Sequence, residues 1–218
     1  MHATHRSGRH RARLRASPGR LVRLRDGRAV VVRSAKPADG AAVQQFVREL
    51  SPLVRRRRFF GALSELSPAQ LDRLTGARNP RDLSLVALSA DAGEPRVVAM
   101  AQYVTDEPGG AEFAVVVADA WQRQGLGVRL LELLLASAAA AGVQVMSGHA
   151  LAENGPMLAL AARLGFASAE DRDPDLVRLE RALPPPRRTV RFAAQLGRLV
   201  ARRAAAIAAP AFATQAGW

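Results

Sequence analysis

Apolar positions in this chain gather into short runs, and the spacing within each run predicts an element. Ala29-Val30-Val31-Val32-Arg33 is β-rich. Lys36-Pro37-Ala38-Asp39 follows, with Asp39 placed to cap a helix running to Leu50. Ser51-Pro52 restarts the chain, and residues 53–60 (LVRRRRFF) read as a helix with Phe59 and Phe60 available to the core. Ser67-Pro68 opens a further short helix to Thr75, since serine at the cap followed by proline at the first helical position is a strong start signal. Three strand-like runs come next, Leu83 to Leu88, Arg96 to Val104 and Ala111 to Val117, divided by turn residues at Asp91-Ala92-Gly93 and at Glu107 to Gly110. Leu126 to Ala141 has helical spacing and ends at Gly142. Val143 to Gly148 reads as a strand, Pro156 to Leu164 as a helix stopped by Gly165, and 166–171 with 175–182 as a closing antiparallel pair.

This order predicts an α/β fold: a mixed, mostly antiparallel sheet of about seven strands flanked by helices. Residues 1–28 are expected to be a disordered basic extension, 29–183 the folded domain, and 184–218 a Pro/Arg/Ala-rich tail, helical over 189–208.

Composition narrows the chemistry. The 218 residues are 49% hydrophobic, enough for one well-buried core, and contain no cysteine, which removes disulfides, thiolate metal sites and cysteine catalysis. His2, His5 and His10 sit at the start, leaving His149 as the one histidine within the domain, so no metal site is expected. The net charge of +13 is concentrated at the ends: 1–28 is arginine-rich against the single acid Asp26, and 187–203 carries arginine and no acid. Such ends suit nucleic acid, an anionic membrane or an acidic protein, or are simply solvated tails. No run reaches the ~18 apolar residues of a spanning helix, and the start lacks an apolar leader core, which predicts a cytoplasmic protein.

The informative stretch runs from Ala111 to Leu131. An apolar strand leads through a short loop to Gln122-Arg123-Gln124-Gly125-Leu126-Gly127-Val128, two glycines opening a helix. The first amides of a helix have no intrahelical partner and favour an anion, and glycine lets a phosphate approach them. No Lys or Ser/Thr follows as a P-loop requires; the dinucleotide fingerprint fails at Leu130, where it needs glycine. A bare strand–turn–helix without ligand is the remaining alternative.

Gln122-x-x-Gly125-x-Gly127 after an apolar strand resembles the (Arg/Gln)-x-x-Gly-x-(Gly/Ala) motif of GNAT acetyltransferases. Glu153-Asn154-Gly155-Pro156-Met157 followed by Leu164-Gly165-Phe166 resembles the family's later Asn…Gly-Phe segment, and the likeness spans about 29–182. Leu50-Ser51-Pro52, Arg58-Phe59-Phe60-Gly61, Leu71 to Thr75 and Ala111 to Val117 look most like bacterial protein-lysine acetyltransferases that modify acyl-CoA synthetases. The resemblance implies acetyl-CoA as co-substrate and an amine acceptor. It places the pantetheine against the backbone at Val115, Val116 and Val117, the pyrophosphate on the amides of Gln122, Arg123, Gln124, Gly125, Leu126, Gly127 and Val128, and a cofactor contact at Asn154. Read without it, the valines are core residues and Asn154 a helix cap.

Acetyl transfer to an amine needs a base, because a lysine ammonium has a reference pKa of about 10.4. Glu112 is the candidate, in an apolar run where burial would push its carboxyl upward, and about 17 Å of strand from Val117 at ~3.3 Å per residue. The resemblance also implies a catalytic glutamate there; the alternative is a glutamate on an exposed strand face. The tyrosine many relatives place four residues before the Gly-Phe glycine is Ala161 here, and Tyr103 lies elsewhere, so either water protonates the leaving thiolate or none is needed, with His149 a further candidate. A non-catalytic acyl-CoA-sensing or interaction module is the competing function.

Overall fold

A computed structural model of the chain describes residues 19–61, 63–76, 81–90, 94–106 and 109–184. Residues 1–18 and 185–218, with the expected tail helix, lie outside the described residues. The elements are β1 (Arg20–Arg23), β2 (Ala29–Ser34), α1 (Gly40–Glu49), α2 (Pro52–Phe59), α3 (Pro68–Thr75), β3 (Leu83–Ser89), β4 (Val97–Thr105), β5 (Gly110–Val117), α4 (Leu126–Ala140), β6 (Val145–Leu151), α5 (Gly155–Arg163), β7 (Ala167–Glu170) and β8 (Leu176–Ala182). The strands form one eight-stranded mixed sheet in the order β1-β2-β3-β4-β5-β6-β8-β7. β5 and β6 are parallel, joined through α4, as a parallel step requires a crossover.

Two compact units make up the fold. The first takes in described residues 19–76, 84–102 and 114–131, and the second 81–83, 103–113 and 132–184. In the first, Val43, Phe46 and Val47 of α1 pack with Leu50, Val54, Leu74, Val86, Val97, Met100 and Val116. In the second, Met146 and Leu179 are fully buried, and Phe113 stacks on Phe166 with ring centroids 4.9 Å apart. Gly148 makes room for that ring: a Cβ there would lie 2.7 Å from Phe113 Cε1.

The start signals at Ser51 and Ser67 hold. Each hydroxyl accepts an amide of its helix's first turn, Val54 and Gln70, and each is followed by proline. Gly142 and Gly165 end their segments with φ of 85° and 76°. Three expectations are corrected. Arg20–Arg23, placed in the disordered extension, is an eighth strand: Leu21 and Val22 pair with Val31 and Val30. Asp39 holds the N-cap position of α1 but bonds none of its amides; its carboxylate accepts the Lys36 amide at 2.7 Å and both terminal nitrogens of Arg33 at 2.7 Å. Phe60 is not core: it follows the last residue of α2 with φ 57° and stays 47% exposed.

Candidate active site

The turn after β5 belongs to the first unit. A short 3-10 turn, Asp119–Trp121, leaves the strand and is tied down by Ser51, whose hydroxyl donates to Asp119 Oδ1 at 2.8 Å. The β1–β2 hairpin holds the same turn: Arg28 donates to the Ala120 carbonyl at 2.8 Å and lies 4.0 Å from the centre of the Trp121 ring. Gln122 then folds back, its Nε2 donating to the Val117 carbonyl at 2.9 Å, which fixes the turn to the end of β5. Arg123 (φ 60°) and Gly125 (φ 88°) both take the left-handed conformation, which glycine reaches without steric cost. The first bond of α4 runs from the Arg129 amide to the Gly125 carbonyl at 3.1 Å. The amides of Leu126, Gly127 and Val128 therefore stand outside the helix's own ladder, on its positive end. Leu126 is buried and anchors the turn through its side chain; Arg123 is exposed.

Along β5 the burial alternates and then changes parity. Ala111 and Phe113 are buried and Glu112 between them is exposed; further on it is Val116 that is buried, with Val115 and Val117 half-buried. The ladder to β6 covers Gly110, Ala111 and Glu112 and ends there. The β6-side backbone groups of Val115 and Val117 are thus not taken up by that ladder. Against Ala114 and Val116 the first unit has a groove, also lined by Met100, Gln102, Phe59 and Arg58, enclosing about 290 Å³ including its open mouth. Sequence reading passed over this groove, because Met100 and Gln102 belong to an unremarkable apolar strand.

Glu112 lies in the second unit and, contrary to expectation, is not buried. Its side chain is 57% exposed, because strand alternation turns it away from the face that buries Ala111 and Phe113. It meets His149 instead: Glu112 Oε1 is 3.3 Å from His149 Nδ1, and His149 Nε2 is 3.1 Å from Asp171 Oδ2. The amide of Asp173, then the charges of His149 and Arg178, hold the Asp171 carboxyl below the usual carboxylate range against a smaller opposing effect of burial. Sequence reading missed Asp171, one of three acids in the polar turn 171–175 with nothing to set it apart. Asn154 is buried and caps α5, its Oδ1 accepting the Met157 amide at 3.3 Å. Tyr103 is buried as well; burial, then the Asp82 charge, pushes its phenol up, so it is a poor proton donor. Among the described residues no group of three His, Asp or Glu could hold a metal ion, and no helix is long and apolar enough to cross a membrane.

Residues 48–166 match the model of the acetyltransferase (GNAT) family. The chain is also 37% identical to an acetyltransferase of Pseudomonas aeruginosa over 153 residues, 70% of this chain and 81% of that protein. The chain belongs to the GNAT acetyltransferases. Among solved structures, this GNAT is similar to the GNAT domain of S. lividans PAT, with 27% identity, a TM-score of 0.68, and 76% and 97% of the two chains covered. It shares its fold with the Salmonella typhimurium acetyltransferase yncA, solved with its cofactor acetyl-CoA, at 20% identity and a TM-score of 0.59, covering 71% of this chain and 94% of that one. GNAT enzymes use acetyl-CoA and an amine acceptor.

Proposed function

We propose that this GNAT transfers acetyl from acetyl-CoA to a protein lysine, such as one on an acyl-CoA synthetase, with Glu112 as general base. One observation carries the reading: an exposed carboxylate stands on the strand whose far end is bonded, through Gln122, to a turn with three helix amides outside the ladder. The amides of Arg123 to Val128 hold the pyrophosphate, that of Gln122 donating to the Asp119 carbonyl at 3.2 Å. Glycine at 125 and 127 lets it approach, and exposed Arg123 adds charge. The backbone at Val115 to Val117 takes the pantetheine, and Asn154, its Oδ1 committed to the cap, offers its amide nitrogen. Bound acetyl-CoA supplies the activated acyl group.

Glu112 then accepts the proton of the acceptor ammonium and frees the lone pair for direct attack. Its exposure suits this role, since the acceptor is brought by another protein and must reach it from solvent. The protein-lysine acceptor rests on the local strings around Leu50-Ser51-Pro52, Arg58-Phe59-Phe60-Gly61 and Leu71 to Thr75, which build α1 to α3. Glu112→Gln is expected to lower kcat on a lysine-bearing peptide by about 10²–10⁴-fold with acetyl-CoA affinity by titration calorimetry unchanged. Equal turnover by Glu112→Gln would remove the base; turnover on small amines alone would remove the protein acceptor.

A further inference from the structure

Resting on the assignment of Glu112 as base, we propose that His149 and Asp171 position the Glu112 carboxylate and carry away the proton it collects. The sheet register brings the three groups to one face. Glu112 of β5 pairs with Ser147 of β6, so His149 lies two residues along on the same side. His149 pairs with Arg178 of β8, Arg178 pairs with Ala169 of β7, and Asp171 is again two residues along. β5, β6 and the turn after β7 therefore place carboxylate, imidazole and carboxylate in a row, with contacts of 3.3 and 3.1 Å. Arg178 and Glu180, also on this face, pair with each other at 3.1 Å.

The neutral ring carries one N–H for two carboxylates, so the second contact becomes a hydrogen bond when Glu112 or the ring holds the proton being transferred. Asp171 is itself fixed by the Asp173 amide at 3.2 Å, so its contact orients the ring and selects a proton on Nε2. Nδ1 then faces Glu112. This is the logic by which a buried aspartate orients a catalytic histidine, transferred to a glutamate base. Glu112 needs such help: on an exposed strand face a glutamate samples several rotamers, and His149 is its one side-chain partner among the described residues. The proton leaves the acceptor nitrogen for Glu112, passes to His149 Nδ1, and is lost from the ring, 33% exposed, to water. Every proton taken is returned to solvent and Glu112 is ready again. The row does not converge on a point, since the ring lies between the two carboxylates, which is why it suits a proton and not a metal.

The test combines kinetics with nitrogen-15 NMR of the full chain. With acetyl-CoA and a lysine-bearing peptide, His149→Ala is expected to lose about 10–100-fold in kcat with the KM for acetyl-CoA unchanged, and free imidazole to restore part of it. Asp171→Asn should lose less, and Glu112→Gln/His149→Ala no more than Glu112→Gln alone, as groups acting as a unit do. His149→Gln provides a second variant should the alanine protein fold poorly. Full activity in His149→Ala beside an inactive Glu112→Gln would overturn the proposal and leave the base in place. Full activity in Glu112→Gln would remove both. Without any acceptor, the His149 ring resonances should move in Glu112→Gln and in Asp171→Asn; resonances that stay fixed would overturn the proposal alone.

Discussion

Asp39 accepts from three donors, the Lys36 amide and the two arms of the Arg33 guanidinium, each at 2.7 Å. The guanidinium, first among the causes, holds this carboxyl below its ordinary range, and the same contact raises Arg33. A depressed carboxyl contributes stability that is present above the unfolded value, ~3.9, and lost as pH falls through the lower folded one. Thermal unfolding of the wild type and Asp39→Asn is expected to differ by about 1–3 kcal/mol near neutrality, with the gap closing below about pH 4. At Glu112 the carboxylate was visible in the sequence and its environment was not. Ala111-Glu112-Phe113 reads as apolar on both sides, yet period-two geometry separates neighbours in sequence onto opposite faces.

Among the elements, the turn Gln122–Val128 depends most on one residue. Gly125 has φ 88° with nothing nearer than Arg25 Nε, 3.8 Å from where a Cβ would stand, so conformation and not crowding demands glycine. Gly125→Glu is expected to abolish acetyl-CoA binding by calorimetry, through strain and through a negative charge set against the phosphates. Gly148 is the opposite case, with ordinary backbone and no room. Gly148→Ala must displace the Phe113 ring and is expected to cost about 1–3 kcal/mol, read as a lower Tm, and to loosen the β5–β6 register that carries Glu112 and His149. Helix starts, glycine stops and the glycine turn before α4 were legible because each is written in a few adjacent residues. Asp171 and the groove beside Met100 were not, because long-range strand pairing assembles them.

Across the whole molecule the difference between expectation and fold lies at the N-terminal side. Arg20, Arg23, Arg25 and Arg28 made the segment read as a solvated extension, but Val22 and Leu24 between them are buried. Basic residues on an edge strand discourage pairing with another chain while the alternate positions pack inward. The described fold accordingly takes in residues 19–28 as well. A chain starting at Ala29 would lose β1 and the Arg28 bonds to Ala120 and Trp121. It is expected to melt at lower temperature and to bind acetyl-CoA more weakly than the full chain, whereas a boundary at 29 predicts no change in either. The +13 charge bears on partners and solubility and says nothing of this boundary.

The early end of the β5–β6 ladder has one more consequence. Beyond Glu112, β5 presents peptide groups on its β6 side with no strand among the described residues bonded to them there. Such a margin is a template for any extended chain, including a second molecule of the same protein. A pantetheine arm lying along it would act as a surrogate strand, so the substrate would protect the protein as well as react in it. Light scattering on warming should show the protein alone clouding earlier than the same protein saturated with CoA.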